Sequence, residues 1–138
     1  MLYDLKSDVK VTQSLVPAVR TPDTYNGTAV GIVNYSSLVA VFEIGAIVGS
    51  TVACKLQVSA DGSTNWADVS TDQLNGTLAG TQNTVQVTGL TEVGALAAAF
   101  VRPVITVTGG TSAACSAVIV QGNPKIAPVG DDGSVYIA

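Results

Sequence analysis

The residues best placed to do chemistry surround the single tryptophan. Asp61 precedes Trp66, and Asp68 and Asp72 follow it. Two carboxyl groups can hydrolyse a glycosidic bond when one stays protonated as an acid and the other stays ionised. Asp68 falls on the same strand face as Trp66, beside a possible aromatic platform, whereas Asp61 is followed by Gly62 and is explained by a turn. Trp66, Tyr25 and Tyr35 could together stack a sugar ring, but their spacings are unrelated, and packing in a core or interface accounts for them equally well. The chain has no histidine, which removes Ser/His/Asp and Cys/His relays. Its two cysteines, Cys54 and Cys115, are too few for a structural zinc site. Both lie in β-like runs. Cys54 shares an apolar face with Val52, Leu56 and Val58, so the expectation is packed thiols, with a late cross-strand disulfide in an oxidising medium as the alternative. Asp131, Asp132, Gly133 and Ser134 resemble the start of a calcium loop without its later oxygen ligands. Gly109 and Gly110 join two strands and open no helix that could hold a phosphate. The sequence therefore assigns no catalytic, cofactor-binding or metal-ligating residue, and the expectation is a protein that is not an enzyme.

The elements around these residues are strands. Val, Thr and Ile recur with period two. Val9, Val11, Gln13 and Leu15 alternate with Lys10, Thr12 and Ser14 in a first extended segment that Pro17 marks as an edge or arm. Short strands are expected at residues 29–33, 38–44, 51–59, 66–69, 83–87, 100–108 and 112–121. Residues 45–50 should turn the chain, and residues 71–82 should loop. Residues 38–44 are apolar on both faces except at Glu43, as in a central strand. Asp61-Gly62 supplies the positive φ of a tight hairpin. Pro103 points to an edge or a bulge. Residues 90–99 are ambiguous, because Leu96 to Ala99 favour helix and Gly94 does not. No βαβ rhythm appears, so the fold class expected is all-β: a single β-sandwich, Ig-like or jelly-roll-like, with the topology left open.

Charged residues make up 12% of the 138-residue chain, about half the ordinary share. The six basic residues are scattered and the net charge is −4, so no stripe exists to neutralise nucleic-acid phosphates. No basic region leads into an apolar run at the start, and residues 38–51 are too short and too broken to span a bilayer. These features point to synthesis in a cytoplasm, no membrane, no cofactor, and a surface covered by partners, as in a homo-oligomer or shell.

Four stretches resemble small structural proteins of tailed bacteriophages. Lys55 through Val69 is similar to their hairpin of a strand, Asp-Gly-Ser, an aromatic and x-Asp-Val. Phe100-Val101-Arg102 resembles their aromatic-Val-Arg strand. Gly122-Asn123-Pro124-Lys125-Ile126-Ala127-Pro128 resembles a terminal Gly-x-Pro-x-x-Ala-Pro segment, and Tyr3 through Asp8 an opening one. Leu96 to Ala99 departs from the aromatic and basic residues of that group, and the chain runs on past its usual end from Gly130 to Ala138.

The resemblance implies a head-associated virion protein, a decoration or cement protein, with the major capsid protein and copies of itself as partners. A tail or head–tail junction protein is the alternative, and a carbohydrate-binding module a further one. The expected layout is an N-terminal arm or first strand over 1–19, a sandwich over 20–122 and an extended arm over 123–138. Adhesion would run through those arms, with Tyr3, Leu5, Val11, Leu15, Pro124, Ile126, Pro128 and Tyr136 as the candidate contact residues.

Overall fold

The computed structural model describes residues 9–70, 73–76, 78–90 and 98–124. Ten strands run through the described residues: β1 (Lys10–Arg20), β2 (Asp23–Asn26), β3 (Val30–Gly31), β4 (Tyr35–Val48), β5 (Thr51–Ser59), β6 (Ala67–Asp68), β7 (Leu74–Asn75), β8 (Thr84–Leu90), β9 (Phe100–Thr108) and β10 (Ser112–Pro124). They form two antiparallel sheets. Sheet A has the order β1-β10-β4-β8-β7, and sheet B the order β2-β9-β5-β6 with β3 also on β9.

The pairing resolves the topology that the sequence left open. β1 pairs with β10, β2 with β9, β4 with β8 and β5 with β6, all antiparallel. These four pairs are nested, like one long hairpin ribbon. Wrapping the ribbon brings β10 against β4 and β9 against β5, which is the jelly-roll form of the sandwich. Alternate residues of both sheets point inward and build one core, including Phe42, Ile44, Leu56, Val101, Ile105, Ala117 and Ile119. Polar contacts also cross between the sheets. Ser14 Oγ donates to the Thr28 carbonyl at 2.6 Å, the Thr28 amide donates to the Ser14 carbonyl at 2.9 Å, and Gln121 Nε2 donates to the Gly31 carbonyl at 2.8 Å.

Several sequence expectations are corrected. Of the two readings of residues 10–19, arm or first strand at an edge, the structure shows the second: they lie in an edge strand hydrogen-bonded along β10. The register shifts between Gln13 and Leu15 and again between Leu15 and Ala18. Each bulge changes the phase of the alternation, so Val11 faces out and Leu15 faces in, although simple alternation puts them on one side. β4 extends well beyond residues 38–44 at both ends, and the expected turn at 45–50 shrinks to Gly49 and Ser50. A bulge in the β4–β10 ladder, between Ala113 and Cys115, absorbs the Gly45 region.

Pro103 lies in an interior strand, contrary to its reading as an edge marker. Its carbonyl accepts the Gly27 amide at 2.8 Å. A strand residue directs its N–H and C=O to the same side, so the missing N–H faces the interruption between β2 and β3 and costs β5 nothing. Of the return strand expected at 66–69, Ala67 and Asp68 form β6 on β5, and the Val69 amide donates to the Leu56 carbonyl at 3.0 Å. β10 reaches Pro124, opposite Tyr35, and so takes up the first two residues of the expected C-terminal arm. The remaining arm residues, 1–8 and 125–138, lie outside the described residues, as does most of the ambiguous 90–99 stretch.

Candidate interaction surface

The two outer faces of the sandwich differ in character. On sheet B, the hairpin around Trp66 is a connected polar surface. Arg102 lies over the Trp66 ring, 4.2 Å from its centroid, and donates through Nε and Nη2 to Gln57 Oε1 at 3.0 and 2.8 Å. Gln57 Nε2 donates to Asp68 Oδ1 at 2.9 Å, and Lys55 Nζ lies 3.2 Å from the same oxygen. Asp68 on β6, Gln57 on β5 and Arg102 on β9 lie side by side in register across the three strands.

This geometry answers the carbohydrate and glycosidase readings. One face of the indole is already covered by the guanidinium. Tyr25 lies on β2 at the far edge of sheet B, its hydroxyl donating to the Thr21 carbonyl at 2.6 Å. Tyr35 is buried on β4 in the other sheet. The three aromatics are not brought together, so no platform forms. The hydrogen bonds from Gln57 and then Lys55 hold the Asp68 carboxyl below its usual range. The Asp61 carboxyl is held far below it, by Thr64 first and then by Ser63 and Ser59. A glycosidase acid needs the opposite shift. Asp72 lies outside the described residues.

Asp61 instead organises its loop. Its Oδ1 accepts the amides of Ser63 and Thr64 at 3.0 and 2.9 Å, and its Oδ2 accepts Thr64 Oγ1 at 2.6 Å. Gly62 follows at φ +78°, and a Cβ there would lie 2.9 Å from Phe100 Cγ, so the Asp-Gly pair is needed both for the turn and for the ring that packs over it. Because the ionised Asp61 is the favoured form in the fold, its contribution is complete above the ordinary carboxylate pKa of about 4 and is lost as the pH falls below that value. Asp61→Asn is therefore expected to lower the melting temperature at neutral pH, with the gap from the parent narrowing under acid. Parallel melting curves from neutral pH into acid test this, and a gap of constant width would refute it.

The thiols are packed, as expected. Cys54 on β5 and Cys115 on β10 face the core from opposite sheets and are free. Burial, and then the neighbouring Cys115, push the Cys54 thiol up to about 12, and burial raises Cys115 as well. Neither is a ready thiolate at neutral pH. Among the described residues, no group of three or more His, Cys, Asp or Glu side chains is placed to hold a metal ion, and no helix is long and apolar enough to cross a membrane.

Sheet A presents the other kind of surface. Register places Val11, Val120 and Val39 in one outward row, Gln13, Val118, Val41 and Val87 in the next, and Glu43 and Val85 in a third. Val11, Val85 and Val87 are 62%, 61% and 48% exposed, while Val39, Val41, Val118 and Val120 are half-buried by their neighbours. Toward the other end of the strands, the face dips into an open groove across β1, β10, β4 and β8, lined by Pro17, Ala18, Ala114, Ser116, Gly45 and Glu43 among others. The bulges of β1 and of the β4–β10 ladder coincide with this groove.

Of the contact residues expected from sequence, Val11 is on this face. Leu15 is only 6% exposed and belongs to the core, a correction that follows from the bulge. Pro124 ends β10. Tyr3, Leu5, Ile126, Pro128 and Tyr136 lie outside the described residues. The outward valines of β4, β8 and β10 were missed. The doubly apolar 38–44 run is the available signal; it marks β4 as a central strand, which it is, between β10 and β8.

No family model matches the chain, and no curated protein sequence matches it. Solved structures do. The VP2 subviral particle protein of infectious bursal disease virus superposes with a TM-score of 0.52 at 10% identity, over 84% of this chain and 32% of that one. The Gx strain of the same virus gives 0.48 at 12% identity, over 81% and 31%. A disulfide-linked pilus protein of Bacillus endospore appendages gives 0.45 at 10% identity, over 91% and 98%. The chain thus spans about a third of the length of the viral proteins it matches, and the likeness to the first of them shows that the two share a fold.

Proposed function

We propose that this chain is a non-enzymatic virion structural protein that decorates or cements a tailed-phage head through contacts with the major capsid protein and with copies of itself. The observation that carries this reading is the bare valine face of sheet A, an apolar surface of a kind that monomeric proteins seldom leave to water. Three features support it. Two of the four phage-like stretches fall on defined elements: the 55–69 stretch makes β5, its loop and β6, and Phe100-Val101-Arg102 opens β9. The jelly roll is shared with a viral shell protein. The low charge suits a surface that is covered in an assembly. The mechanism is additive: each copy contributes small contact energies that many copies sum into a stable shell.

The test is to add the purified chain, and versions lacking residues 1–8 or 125–138, to phage heads and to count bound copies after sedimentation. Copies in proportion to capsid subunits, reduced by truncation while the sandwich stays folded, are expected. A single ring's worth would move the protein to the tail or connector. Failure to bind particles would overturn the reading, and undiminished binding of the truncated chains would remove the arms from it.

A further inference from the structure

We propose that the cavity between the two sheets beside β5 binds a small neutral molecule with an apolar body and an amide-like group that both donates and accepts a hydrogen bond. The cavity exists because neither sheet ends in a full strand on this side. β6 pairs with β5 at Gln57 and Val58, and β7 pairs with β8 at Gly89 and Leu90. Beyond these short strands the chain crosses between the sheets. It leaves β5 where the Val69 amide donates to the Leu56 carbonyl at 3.0 Å, and it meets β5 again where Gly80 lies against the Val52 carbonyl. Cys54 sits midway between those two crossings.

The cavity between them measures about 470 Å³, within the range of small-molecule sites. Two glycines fix its outer wall. Gly76 has φ +138°, and a Cβ there would lie 2.3 Å from the Val87 carbonyl oxygen. Gly80 has φ +67°, and a Cβ there would lie 2.0 Å from the Val52 carbonyl oxygen. Side chains are excluded at both points, so the backbone packs directly on β8 and on β5. Leu78, halfway between the glycines, lines the cavity. The Ala79 amide donates to Gln86 Oε1 at 3.3 Å and ties the same stretch to β8.

The lining defines the class of ligand. Leu56, Val69, Leu74 and Leu78, with the Cys54 side chain, give apolar walls. Lys55 and Asp68 border the cavity and pair with each other at 3.2 Å, so they leave no unmatched charge to meet a charged ligand. A neutral molecule is the one that enters without loss.

The backbone supplies the polar feature. In an antiparallel ladder each residue directs its N–H and C=O to one side, and successive residues alternate. The Leu56 carbonyl bonds Val69, away from β9, so the N–H and C=O of Cys54 point the same way. Among the described residues no backbone group bonds them. Such a pair calls for an amide-like partner, as a further strand would supply. A strand cannot lie there, because the crossings at Leu56 and Val52 block the edge on both sides of Cys54. The occupant is therefore a small molecule and not a peptide.

The experiment uses the purified full chain, isotope-labelled for NMR, and two probes of one shape. Benzamide carries the donor and the acceptor, and acetophenone has a methyl in place of the NH2 group. Benzamide is expected to shift the backbone amide signals of Cys54, Leu56 and Leu78 saturably, with a dissociation constant of about 1 mM or tighter, as good small ligands reach. Acetophenone should bind at least about fivefold more weakly, the usual loss when one hydrogen bond is left unmade. Leu78→Trp fills the cavity from the outer wall and Leu74→Phe from β7. Each, checked for folding by circular dichroism, should abolish the shifts. A parent chain without shifts up to about 10 mM benzamide, roughly ten times that constant, overturns the proposal. So do shifts that both filling variants leave unchanged, and so does equal binding of the two probes.

Discussion

Phe42→Ala is expected to lower the stability of the fold by about 3–5 kcal/mol, the usual cost of deleting a buried aromatic ring. Phe42 sits midway along β4, the strand between β10 and β8, with Ala117 in register on one side and Gln86 on the other. It is 0% exposed, and Ala40, Ala113 and Ala117 are buried in the same cluster. Ala117 beside it in register and Ala40 two residues before it on β4 are small, which leaves the ring to fill the space next to them between the sheets. They also have no length with which to collapse into a void, so both the transfer cost and the cavity cost should be felt. Urea unfolding should show a lower midpoint with an unchanged slope, since the native and unfolded surfaces differ little. Phe42→Leu, which keeps most of the volume, should lose clearly less. A loss below about 1 kcal/mol for Phe42→Ala, well short of the cavity range, would mean that the sheets are held apart and together by other residues.

The sequence discloses this arrangement unequally from strand to strand. β5 and β9 are legible because each keeps one phase from end to end: Val52, Cys54, Leu56 and Val58 oppose Val107, Ile105, Pro103 and Val101 across one unbroken ladder. The Asp61–Gly62 loop is legible because its chemistry is local, a carboxylate that caps its own turn and a glycine at positive φ. β1 is only partly legible. An extra residue in a bulge looks like any other residue in the sequence, yet it moves Leu15 from the surface to the core. Pro103 misleads for a related reason: what matters is which side of the strand lacks a partner, and that depends on where β2 stops and β3 starts. The valine face is the least legible. Alternation reports which residues share a side, and nothing local distinguishes a side covered by the same chain from one left for another.

The joint between the two sheets gives the second large effect. Gly27→Ala is expected to destabilise the fold by about 1–3 kcal/mol, in the range of overpacked cores. Gly27 is buried where the chain leaves β2, and a Cβ there would lie 2.5 Å from Ser14 Oγ and 2.6 Å from Pro103 Cγ. Ser14 belongs to sheet A and Pro103 to sheet B, so the added methyl would wedge the sheets at a point where they are also hydrogen-bonded. Moving away would stretch the Gly27–Pro103 and Thr28–Ser14 backbone bonds, 2.8 and 2.9 Å long.

The partner variant separates the clash from a general loss of packing. Ser14→Ala removes the hydroxyl that donates to Thr28 at 2.6 Å and alone should cost about 1 kcal/mol. It also removes the nearest obstacle to the new Cβ. The double variant should therefore be more stable than the two single losses predict when added, a coupling that thermal unfolding of the three variants can measure. Recovery should be partial, because the Pro103 ring remains and its strand is fixed between β2 and β5. Simple additivity would show that the hydroxyl yields without cost, leaving the proline ring alone as the reason position 27 requires glycine.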